Sequence, residues 1–88
     1  MTIYRCAGLR AIRQSSVPEG EHPSAIFARR LARRAFGRRG IVRTLVEDSW
    51  TQSRDLIEYG AFIGYRSGPG ETTGHNIRFT VFVEGGVR

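Results

Sequence analysis

Between Ala25 and Phe36 the apolar positions recur with a helical period. At about 100° per residue, Phe27, Leu31, Ala28, Ala35, Ala32, Ala25 and Phe36 fall within one half-turn of arc. Arg29, Arg30, Arg33 and Arg34 fall on the other half. The spacing therefore predicts one amphipathic helix, with a face for a core and a face of guanidinium groups. Ile26 is the exception, an apolar side chain among the arginines. It is either covered by the 16–22 segment or the apolar centre of a binding patch.

Elsewhere the period is two. Thr2 to Ile12 predicts a first strand, opened by β-branched and aromatic residues, with Gly8 as a candidate bulge. Ile41–Glu47 is a second. Leu56–Arg66 is a third, alternating Ile57, Tyr59, Ala61, Ile63 and Tyr65 against Glu58, Gly60, Phe62 and Gly64. Asn76–Glu84 alternates strictly, with Ile77, Phe79, Val81 and Val83 on one face.

The connections carry their own signals. Ser16-Val17-Pro18-Glu19 has capping-box spacing, but Pro23 belongs in a first helical turn, so the main helix is expected to restart there. Gly37 and Gly40 supply its stop, with Arg38 and Arg39 placed favourably for the helix dipole. Thr51–Asp55 reads as a turn, Ser67–Gly74 as a loop and residues 85–88 as a frayed tail. The expected fold is a single α+β domain over residues 1–88, in the order β-α-β-β-β. One amphipathic helix would pack on a mostly antiparallel four-stranded sheet, against Ile77, Phe79, Val81 and Leu45.

Composition narrows the function. The 88 residues suffice for one core. A lone cysteine, Cys6, forms no internal disulfide, and no apolar run has membrane-spanning length. Met1–Arg5 lack the apolar run of a secretory signal, so a cytoplasmic setting is expected. The formal charge is +6, and every basic residue is arginine. No acid lies between Glu21 and Glu47, where Arg29, Arg30, Arg33, Arg34, Arg38, Arg39 and Arg43 are found.

Chemistry of other kinds is poorly supported. Cys6, His22 and His75 have no zinc-type spacing, so no metal and no cofactor are expected. No serine sits in a Gly-x-Ser-x-Gly elbow, and Glu47 and Asp48 are adjacent, pointing to opposite faces of a strand. The chain is therefore expected not to be an enzyme. Gly68-Pro69-Gly70 with Thr72-Thr73-Gly74 lacks the Gly-Lys-Ser/Thr of a P-loop and reads as a mobile hairpin connection, available as a contact element. Trp50 is expected to close an edge of the core.

Glu58-Tyr59-Gly60-Ala61-Phe62-Ile63-Gly64-Tyr65 resembles the aromatic third-strand signature of RNA-recognition motifs. Ala61, Phe62, Ile63 and Tyr65 fit its later positions, while Glu58 stands where that family has a basic residue. Ile3-Tyr4 echoes the family's first-strand motif, with Arg5 in an apolar slot. The family also needs a second helix, for which only Ser67–Gly74 is available, so membership is not expected. The surviving implication is that Phe62 and the pair Tyr59 and Tyr65 lie on opposite strand faces, one of which is exposed for stacking.

The small size, the single α+β layer, the missing catalytic groups and the local charge resemble the accessory proteins of phages and mobile elements, including anti-CRISPR inhibitors. The likeness is of size and composition, with no motif carrying it. It implies inhibition by occlusion, with the arginine face docked on an acidic or nucleic-acid-binding surface of a nucleoprotein complex. The alternative is direct DNA or RNA binding by Arg29, Arg30, Arg33, Arg34, Arg38, Arg39 and Arg43, with Tyr59 or Tyr65 stacking on bases. A second copy is a further candidate partner, through the Asn76–Glu84 strand if it lies at a sheet edge.

Overall fold

The computed structural model describes residues 1–48 and 55–85. The elements are β1 (Ile3–Arg5), β2 (Ile12–Arg13), α1 (Pro23–Phe36), β3 (Ile41–Glu47), β4 (Leu56–Gly68) and β5 (Glu71–Glu84). Single 3-10 turns follow β2 at Gln14–Ser16 and α1 at Gly37–Arg39. All strands join one antiparallel sheet in the order β2-β1-β5-β4-β3. The α+β class and the single helix match the pattern, but the sheet has five strands rather than four.

The extra strand comes from the N-terminus. Instead of one strand over Thr2–Ile12, the chain folds back on itself, pairing Ile3 with Arg13 and Tyr4 with Ile12. Gly8 is the cause. Its φ of 79° lies in the left-handed region, which glycine enters freely, and Leu9 N–H donates to the Cys6 carbonyl at 3.1 Å to close the turn. Gly8 thus makes a hairpin and not a bulge.

The second correction concerns Ser67–Gly74. The β4–β5 ladder continues through Tyr65–Thr73 and Arg66–Thr72 to Gly68–Glu71, so the turn itself is only Pro69-Gly70. Proline fixes the first turn torsion, and Gly70, at φ 71°, supplies the second. Thr72 and Thr73 are β-branched and suit a strand, whatever their loop-like polarity. The result is a long two-stranded arm.

Helix α1 starts at Pro23, as the restart at that residue requires. His22 is its N-cap: the His22 Nδ1 accepts from the Ser24 N–H at 3.1 Å. The Ser16–Glu19 capping box is not formed, because Ser16 closes the preceding 3-10 turn. At the far end Gly37 takes φ 71°, and its N–H donates to the Arg33 carbonyl. Gly40 then lets the chain pass under the helix: a Cβ there would lie 2.3 Å from the Ala32 carbonyl oxygen.

Packing follows the two periods. Phe27, Ala28 and Ala32 are fully buried against Tyr59, Ala61 and Ile63 of β4 and Phe79 and Val81 of β5. Ile77 and Leu45 pack at the margin, and Cys6 and Ile12 close the β1–β2 end. Ala35, counted in the apolar arc, is exposed. The opposite sheet face bears Val46, Phe62, Arg78 and Phe82 by alternation, with Val46 63% and Phe82 42% exposed. Trp50 and the turn at residues 51–54 lie outside the described residues, as do residues 86–88 of the tail.

Candidate binding surface

The helical arginines do not form one free face. Arg30 Nη1 donates to the Arg10 carbonyl at 2.9 Å, and Arg34 Nη2 donates to the Gly8 carbonyl. These two, four residues apart, clamp the β1–β2 hairpin onto α1. Arg29 is paired with Glu21. Arg33 and Arg38 are exposed, and their side chains have no hydrogen-bond or ion-pair partner among the described residues.

The remaining arginines gather towards the β4–β5 arm. The Arg39 guanidinium lies 4.8 Å from the centre of the Tyr65 ring, which also meets Phe36 at 5.6 Å. Arg43 reaches from β3 across β4 to the Thr72 Oγ1 at 3.4 Å. The acid-free run of sequence therefore leaves a cationic set, Arg33, Arg38, Arg39 and Arg43, with no ion-pair partner among the described residues. Arg30 and Arg34 belong to a structural clamp instead.

Neither predicted tyrosine is an open stacking platform. Tyr59 is 5% exposed, stacked on Phe79 at 5.6 Å and touched by His22 at 5.9 Å. Burial, then the nearby Glu47, pushes its phenol pKa up, against a hydrogen bond with Ser24. Tyr65 is covered on its ring by Arg39 and Phe36. The accessible aromatics are on the other sheet face, Phe62 and Phe82, with Arg78 between them in register and tied to Glu58 at 3.4 Å. The alternation of β5 separates Arg78 and Phe82 from the core residues, but it does not say which set faces water; the helix decides that.

Two of the grooves along α1 are lined by its arginines. One, of about 430 Å³, runs between Ala25, Arg29 and Arg33 on the helix and Gly40 with residues 41–45 of β3. It has no acidic residue in its lining. The other, of about 520 Å³, lies under the 10–21 segment and contains Arg10, Arg13 and Arg30, but also Glu21. Ile26 is half-buried: it packs against the core and also lines this second groove.

His22, Ser24, Glu47 and Tyr59 share a small groove of about 240 Å³, where the His22 Nδ1 lies 2.8 Å from the Ser24 Oγ. Among the described residues no three His, Cys, Asp or Glu side chains gather as a metal site would require. His22 caps the helix and His75 packs against Phe36 at 5.7 Å. Cys6 is buried, which raises its thiol pKa and outweighs the nearby Arg34. No described helix is long and apolar enough to cross a membrane. No protein-family model, characterised protein or solved structure shows detectable similarity to this chain.

Proposed function

We propose that this is a non-enzymatic binding protein that docks the cationic α1–β3 face on an acidic surface of a larger partner. The observation that carries this reading is the α1–β3 groove. Arg29, which is also paired with Glu21, Arg33 and Arg43 line it, no carboxylate does, and Arg38 and Arg39 immediately precede its Gly40 in the chain. Arginine is suited to such contacts because its planar fork pairs with a carboxylate through two parallel hydrogen bonds. Complementary charge also accelerates encounter and fixes orientation. The resemblance to anti-CRISPR inhibitors gives docking a consequence: a surface so covered is closed to its nucleic acid.

The test compares labelled poly-glutamate with mixed-sequence DNA and RNA by fluorescence anisotropy over a salt series. Poly-glutamate should bind at low salt, and an Arg33→Glu, Arg43→Glu double variant should weaken it at least about tenfold while keeping its circular dichroism spectrum. An Arg30→Glu, Arg34→Glu pair is the wrong probe, because it also breaks the hairpin clamp. Unchanged affinity in the Arg33, Arg43 variant refutes the assignment.

A second reading, direct binding of single-stranded nucleic acid, is favoured by one observation, the exposed Phe82 on the same sheet face as Arg78, four residues along β5. Base stacking on such a ring is sequence-tolerant and worth about 1–3 kcal/mol per base. Phe82→Ala would then weaken oligonucleotide binding and leave poly-glutamate untouched.

A further inference from the structure

We infer that the outer edge of β3 takes up an extended acidic segment of the partner as a sixth strand, an inference that rests on the acidic-partner reading above. Strand β3 is last in the sheet and pairs only with β4. On its outer side no described strand meets it, so alternate backbone N–H and C=O groups over Ile41–Glu47 face outward unpaired. That is about 23 Å of template at ~3.3 Å per residue. The α1–β3 groove runs along this edge, since consecutive residues 40–45 line it, and its other wall is Ala25, Arg29 and Arg33.

Charge selects the occupant. A strand seated here would point alternate side chains towards the helix wall, where Arg33 has no described partner and Arg29 is paired with Glu21, and the rest towards the open sheet face beside Thr44 and the exposed Val46. The matching segment alternates acidic with β-branched residues. A second copy fits badly: self-pairing would bring the arginines of one edge against those of the other, on chains that each carry +6. Nucleic acid has no backbone ladder to offer a strand edge.

The probe is an acetylated, amidated octapeptide of alternating glutamate and valine, with two analogues N-methylated at alternate residues in opposite registers. N-methylation removes backbone donors and leaves every charge in place. The parent peptide should bind. One methylated register should lose at least about tenfold, because the donors facing β3 are gone, and the other should stay within about twofold. Arg33→Glu should weaken the parent peptide. Amide resonances of Ile41–Glu47 should shift on titration.

Equal binding of both methylated peptides overturns strand addition and leaves the charge reading standing. So does binding of poly-glutamate without the octapeptide. Failure of poly-glutamate and octapeptide alike overturns the acidic-partner reading itself, and an oligonucleotide that alone shifts the β3 amides replaces it with nucleic acid. Dimerisation that shifts those amides in the free protein assigns the edge to a second copy instead.

Discussion

The Arg34 guanidinium, in the last turn of α1, donates to the carbonyl of Gly8, 26 residues earlier in the chain. A charged donor on a partly exposed carbonyl contributes about 1 kcal/mol. Arg34→Ala is therefore expected to lower the melting temperature by about 4–8 °C, the usual conversion for a domain of this size. Arg33→Ala, one residue away with no described partner, should change stability by less than about 0.5 kcal/mol. Thermal unfolding of the two variants separates them; equal shifts would mean that Arg34 clamps nothing.

Gly64 and Gly74 face each other across the β4–β5 arm. A Cβ on Gly64 would lie 2.2 Å from the Thr73 carbonyl oxygen, and one on Gly74 would lie 2.0 Å from that of Ile63. Backbone would have to move in either case, so Gly64→Ala and Gly74→Ala should each cost at least about 2 kcal/mol. At Gly60 the nearest atom to a new Cβ is the Val46 Cγ2, at 3.7 Å, which is ordinary contact. Gly60→Ala should be neutral or stabilising by up to about 1 kcal/mol, through a less flexible unfolded chain. Urea unfolding of the three variants checks the ranking.

These glycines also mark where the sequence is legible and where it is not. The apolar arc of α1 and its start at Pro23 follow from local rules, because a 3.6-residue period and a first-turn proline are both short-range signals. The alternation of Tyr59, Ala61 and Ile63 likewise appears as one buried face. What a period of two does not say is which face meets the helix. Tyr59 thus reads equally well as a stacking residue until α1 covers it. The Ser67–Gly74 stretch looks like a loop by composition, yet its threonines are held in a ladder by β4, a tertiary effect. The partners of Arg30 and Arg34 are backbone carbonyls 20 and 26 residues away, and no side-chain pattern encodes those.

His22 caps α1 through its ring nitrogen, an unusual choice where Ser, Asp or Asn is the common one. His22→Ala should cost about 1 kcal/mol, by leaving the Ser24 N–H without its acceptor. His22→Asn restores a capping oxygen and should recover most of that loss. Incomplete recovery would measure what the His22–Tyr59 ring contact at 5.9 Å adds. Loss of equal size in both variants, by denaturant titration, would show that the cap contributes nothing.

Cys6 and Tyr59 give the fold an alkaline limit. Burial raises both above their ordinary values of 9.0 and 10.0, chiefly because the thiolate and the phenolate lose hydration in the core. The folded chain therefore holds these protons to higher pH than the unfolded chain does. By linkage, above about pH 9 the unfolded state binds fewer protons, so stability falls as pH rises. Below that pH their contribution is fully present. Melting temperature should accordingly decline from about pH 9 upward, first through Cys6 and then through Tyr59. Cys6→Ala should flatten the lower part of the decline and Tyr59→Phe the upper part, each from a reduced starting stability. A wild-type melting temperature that stays level from about pH 8 to 10.5 would contradict the burial of both groups.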